Sequence, residues 1–245
     1  MCESWTNIFY LLQQSLRRES VSQRYKKEMP ARSSNSAPKK SRAVTKPKVV
    51  GKGGNAASYK VTVKYLWGTK KISAKFPTGA HSGNMWLVSH SKKFHLFREG
   101  KLASKGISET AMFGTVDTLA KEASASGEIG SVMKAGVVDV PATFRFPKAL
   151  KVQKDQVVSF SAMIAPSPDW FVGANSISLR TTAGWISRLQ VPLWAYDAGT
   201  DSGCGFYNAP DFPESVPKPI QYITGPPLFI YTPPEPIAFL MFEKV

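Results

Sequence analysis

The chain has little cysteine: two residues in 245, Cys2 and Cys204. Cys2 lies in a basic N-terminal segment, so a disulfide within one domain is not expected, and a disulfide-stapled scaffold is excluded. No run of about 18 apolar residues occurs, which excludes a conventional transmembrane helix. The sequence contains no GxxxxGK[ST], GxSxG, HExxH or GxGxxG, the patterns that cradle phosphates, present a serine nucleophile, hold catalytic zinc or bind dinucleotides. Histidine is scarce too. His81, His90 and His95 have no cysteine near them, so they read as structural residues rather than zinc ligands. With no nucleophile–base pair in view, the chain does not read as an enzyme.

Lysine is absent from Asp155 to Pro217, where only Arg180 and Arg188 are basic. The net charge of +15 is therefore lopsided: residues 1–154 carry +19 and residues 155–245 carry −4. Residues 29–54, with seven Lys/Arg and no acid, cannot bury enough apolar surface to offset their ordering entropy. A disordered basic arm over residues 1–54 is expected. It includes a possible amphipathic helix through Trp5, Ile8, Phe9, Leu12 and Leu16. Residues 29–54 suit polyanions such as sulfated glycans or nucleic acid. MCESWTNIFYLLQQSLRR is not a recognisable secretory leader: Glu3 stands where positive charge belongs, and no small-residue cleavage site follows.

A domain over residues 55–245 is expected to be all-β. Tyr59, Val61, Val63, Tyr65 and Trp67 alternate with polar residues, the mark of a half-buried strand. Further strands are expected at KKISAKF (70–76), KFHLF (93–97), TFRF (143–146), VVSFSAMI (157–164), SISLR (176–180), WISRLQV (185–191) and PIAFLMFEKV (236–245). Short strands between Gly/Pro/Asn/Asp breaks predict an antiparallel β-sandwich or barrel. One helix is expected around Glu109 to Ala125. Cys204 reads as a small packing residue, and the proline-rich 208–236 as an irregular excursion before the last strand.

Against the basic background, APSPDWFVG (165–173) and DAGTDSG (197–203) stand out, because they place Asp169, Asp197 and Asp201 in loops. Close carboxylates repel, and a hard cation with six to eight oxygen ligands, calcium above all, turns that repulsion into stability. Gly199 and Gly203 let the second loop curl. Taken alone, that loop reads either as an Asx turn capping its own backbone or as part of a cation site. SISLR and WISRLQV lie between the two loops, and as a hairpin they would bring both loops to one edge.

SAMIAPSPDWFVG followed by PLWAYDAGTDSG resembles the spondin N-terminal domain, found in F-spondin and related matrix proteins. YKVTVKYLW, FPTGAHSGNMWLVSH and FREGKLASKGISETAMFGTVDTL follow in that domain's order, so the resemblance covers residues 58–245. It implies an antiparallel sandwich binding one calcium ion through Asp169, Asp197 and Asp201. It also implies an extracellular adhesion module with a protein or glycan ligand. The alternative is a coat-like structural protein whose basic arm binds nucleic acid.

Overall fold

The structure, a computed structural model, describes residues 48–50, 54–67, 77–203, 205–206, 213–225, 228–229 and 235–245. The expected helix near Trp5, the strand at 70–76 and Cys204 lie outside these residues. Compactness divides the chain into Met1–Ala43 and Val44–Val245, and every element below belongs to the second unit.

Among the described residues, fourteen strands run in chain order: β1 Lys48–Val50, β2 Ala56–Tyr65, β3 His81–Ser82, β4 Met85–Ser91, β5 Ile129–Ala135, β6 Val138–Asp139, β7 Thr143–Arg145, β8 Leu150–Gln153, β9 Gln156–Ala165, β10 Trp170–Ile177, β11 Arg180–Thr181, β12 Gly184–Asp197, β13 Gln221–Tyr222 and β14 Ala238–Lys244. The helices of the described residues, α1 (Lys105–Phe113) and α2 (Asp117–Ala125), follow β4. All the strand pairings are antiparallel, and the main path is β5-β4-β9-β10-β12-β14-β2-β7. The expected antiparallel sandwich is the observed architecture.

The long strand β12 is shared by both layers. Its residues 188–193 pair with β14, and residues 194–197 pair with β10. Between the layers sits the main core, with Val61 and Val63 from β2, Leu240 and Phe242 from β14, and Phe160 from β9. The strict alternation in β2 follows from one face meeting this core and the other meeting solvent. β4 breaks that rule because both of its faces are covered. Leu87 enters the main core, while Trp86 and Val88 enter a second cluster under the helices with Ile107, Leu119 and Phe171. The buried Tyr59 hydroxyl donates to the Ile186 carbonyl at 2.9 Å, tying β2 to β12.

Three expectations change in detail. KFHLF is a loop. Its backbone is held by an amide, Leu96 N–H donating to Asn175 Oδ1 at 3.2 Å and Asn175 Nδ2 donating to the Phe97 carbonyl at 2.9 Å. The single helix is two, because Gly114 turns left-handed (φ 65°) and ends α1. SISLR is split between β10 and β11, with a register shift after Ala174. Among the described residues, no helix is long and apolar enough to cross a membrane.

Candidate metal centre

The expected hairpin forms as β10 and β12, with Trp170 opposite Asp197 in register. The loop before β10 and the loop after β12 therefore meet at one edge. Asp169 is fully buried there. The turn that aims it inward is closed by Ser167, whose hydroxyl donates to the Ile164 carbonyl and accepts Trp170 N–H at 3.2 Å. Its neighbours anchor it on both faces of the sheet. Trp170 packs edge-on to Phe206, and Phe171 stacks on Tyr196 with centroids 5.4 Å apart.

Asp169 reaches across to the second loop. Its Oδ2 accepts Thr200 N–H at 2.6 Å, Asp201 N–H at 3.0 Å and the Thr200 hydroxyl at 3.1 Å. Its Oδ1 is buried and has no hydrogen-bond partner. Burial pushes the Asp169 carboxyl up to about 6, and the nearby Asp197 charge adds to that, against the pull of the Thr200 and Asp201 donors.

Asp197 caps its own loop, its Oδ1 accepting Gly199 N–H at 2.7 Å. Burial raises its pKa, while the Gly199 N–H and the Lys218 charge oppose the rise. Asp201 is nearly buried, and its Oδ1 accepts Gly203 N–H at 2.6 Å. Gly199 adopts φ 72°, and a Cβ there would meet the Lys218 carbonyl oxygen at 2.2 Å. A Cβ on Gly203 would meet Pro168 at 2.8 Å, so the two aspartate loops touch through a glycine.

The three aspartates thus share one loop cluster. Among the described residues, however, no group of three or more His, Cys, Asp or Glu side chains is drawn together as a metal cage. Each loop carboxylate spends one oxygen on a glycine N–H, the Asx turn weighed from the sequence. The donor set, carboxylate and hydroxyl oxygens without sulfur, suits a hard cation. The orphaned Asp169 Oδ1 fits such an ion.

Two charged residues escaped the sequence reading. Glu214 N–H donates to the Thr200 carbonyl at 3.0 Å, and Lys218 N–H donates to the Gly199 carbonyl at 2.7 Å, so 214–218 straps the second loop. The Lys218 ammonium pairs with Glu214 and lies within electrostatic reach of Asp197 and Asp169.

A family model described as Spondin_N matches residues 57–227. The chain is similar to human Spondin-2, 33% identical over 177 residues that make up 69% of this chain and 53% of that protein. It is similar to mouse Spondin-1, 30% identical over 191 residues, 72% of this chain and 23% of that protein. Xenopus laevis Spondin-1 is 31% identical over 206 residues, 77% of this chain and 25% of that protein. The matched region spans about half the length of the Spondin-2 relative and about a quarter of the Spondin-1 relatives.

Proposed function

The chain belongs to the spondin N-terminal domain family, and on that premise we propose that it is a calcium-braced β-sandwich serving as an adhesion or interaction module. Asp169, Asp197 and Asp201 would hold the ion. Bound calcium supplies a hard, doubly positive centre for carboxylate oxygens. The observation that carries the proposal is Asp169 Oδ1, a buried carboxylate oxygen with no donor beside a second acid. A buried polar atom without a partner costs about 1–3 kcal/mol, and more when charged. A cation removes both that cost and the repulsion from Asp197.

The protein's own residues prepare the centre. Thr200 and Asp201 fix one oxygen of Asp169 and leave the other unpaired. An ion held there would tie the loop before β10 to the loop after β12 and stiffen that end of the sandwich. An extracellular setting, a protein or glycan ligand, and polyanion binding by residues 29–54 belong to the same proposal.

The test is a melting curve of the full chain, first stripped with chelator and then titrated with calcium. Saturation at 100 times the dissociation constant adds about 2.7 kcal/mol, a rise of roughly 5–10 °C for a domain of this size. Absence of a rise, or an equal rise in Asp169→Asn, overturns the proposal.

A further inference from the structure

The outward face of β12-β14-β2-β7 is strongly cationic, and the calcium proposal makes no use of it. Alternation buries Tyr59, Val61 and Val63 on the inner side of β2 and turns Lys60, Thr62 and Lys64 outward. Register extends that face over three further strands. Lys60 stands opposite Glu243, which stands opposite Arg188; Thr62 stands opposite Arg145 on one side and Met241 on the other, with Gln190 beyond. Lys60, Lys64, Arg145 and Arg188 are all exposed. Glu243 is the acid among them. Its carboxyl is held below the usual range by its hydrogen bond to Arg188, with Lys60 and Arg145 adding to the pull.

One carboxylate therefore shares this face with four cations. Its ion pair is with Arg188, at 2.7 Å and on the exposed surface. Lys60, Lys64 and Arg145 have no ion pair among the described residues. Lys60, Thr62, Arg145, Arg188, Gln190 and Glu243 line an open groove of about 450 Å³. Arg145 stands diagonally from Lys60 and Lys64, about 7–8 Å apart in such a ladder, and like charges at that distance repel unless anions sit between them.

We propose that this sheet face binds a sulfated glycan. Arg145 and Arg188 offer planar forks that match a sulfate, and Lys60 and Lys64 offer point charges. Thr62 and Gln190 lie between them and suit sugar hydroxyls. The face favours a glycan over nucleic acid. Single strands bind by stacking bases on aromatic platforms, and the aromatic residues at outward positions of these strands among the described residues, Phe239 and Trp194, are half-buried and outside the groove. Duplex recognition needs an element that enters a groove, whereas this face is an open sheet. Arg188 and Asp197 are nine residues apart on β12, about 30 Å at strand rise, so the two proposals stand or fall separately.

The probe is a size-defined heparin oligosaccharide, titrated against the full chain at several salt concentrations. Its desulfated form and a single-stranded RNA of equal charge run alongside. The double variant Lys60→Gln/Arg145→Gln is compared with Lys92→Gln/Lys93→Gln, an equal charge loss on the exposed turn after β4. Residues 29–54 are present in every protein, so their contribution cancels. Losing two charge-assisted contacts is expected to weaken heparin binding at least about tenfold. The dependence of log affinity on log salt should also flatten by about two. Glu243→Gln, which removes the acid, is expected to tighten binding. The proposal is overturned if the two double variants weaken binding equally. It is also overturned if RNA binding falls by the same factor, if the desulfated sugar binds as well, or if Glu243→Gln leaves affinity unchanged.

Discussion

Trp170 and Asp197 face each other in register across β10 and β12. One step back along the chain from Trp170 is Asp169, so this single cross-strand pair sets two acids beside each other. The indole fills the main core, and the carboxylate marks the end of its strand. Packing, rather than attraction between the loops, brings the acids together.

Asp169→Asn separates the cost of this arrangement from its use. The folded carboxyl, raised to about 6 from 3.8, holds its proton more tightly than the unfolded one. Acid therefore favours the folded state. The penalty is absent below the unfolded value, grows as pH rises through the window, and is complete above about 6. At pH 7 it is on the order of 2–3 kcal/mol. The asparagine removes the charge but leaves a buried N–H₂ at the orphaned position, at about 1–3 kcal/mol. In chelator at pH 7, the variant is expected to melt at or above the wild-type temperature and to gain nothing from added calcium. A variant that melts well below wild type in chelator would show that the carboxylate is already satisfied without an ion.

The aspartates were legible from sequence because acids are rare on a basic chain and because the intervening segment has hairpin length. Their convergence followed from strand geometry. The KFHLF loop was not legible. Its alternation matches a strand, and the residue that decides otherwise, Asn175, is 78 or more positions away. Gly114 was the visible breaker in the helical stretch, and it does end α1. Lys218 left one trace: it is the first lysine after Lys154. Nothing local says that it returns to the Asp197 loop.

Gly199→Ala is expected to be costly for two separable reasons. The position has positive φ, which costs a non-glycine residue about 1–3 kcal/mol. A Cβ would also meet the Lys218 carbonyl oxygen at 2.2 Å, and that atom is backbone. Gly79→Ala is the control, with φ 75° and nothing within 4 Å of its Cβ. Denaturant midpoints should show Gly79→Ala mildly destabilised and Gly199→Ala destabilised by clearly more. Equal losses would mean that the 214–218 strap yields to the added methyl.

His90 gives the opposite pH sign from Asp169. It is fully buried, with Nδ1 donating to the Ser91 carbonyl at 2.7 Å and Nε2 at 2.7 Å from the Ser159 hydroxyl. Burial lowers its pKa below 6.5. The unfolded chain then binds the proton first, so the neutral ring's contribution is present above 6.5 and is lost as pH falls toward the folded value. His90→Gln should flatten the loss of stability between pH 7 and pH 5.5, measured by urea midpoints against wild type in chelator. An unchanged slope would assign the acid sensitivity to other groups.

Lys218 tests whether the acidic cluster is tuned for a cation. The ammonium is largely exposed, pairs with Glu214 and feels the charges of Asp197 and Asp169. Without an ion its charge offsets theirs, and with an ion bound it repels the newcomer. Lys218→Gln is therefore expected to lower the calcium-free melting temperature slightly. It should also raise calcium affinity by roughly threefold, the scale of a screened charge–charge interaction. Glu214→Gln should act in the reverse sense on affinity, since it removes a negative charge that Asp197 feels. Calcium titrations at low and high salt measure both, and the two shifts should shrink together as salt screens them. If Lys218→Gln weakens calcium binding, the ammonium's pairing with Glu214 acts as a strut that holds the 214–218 segment on the Asp197 loop.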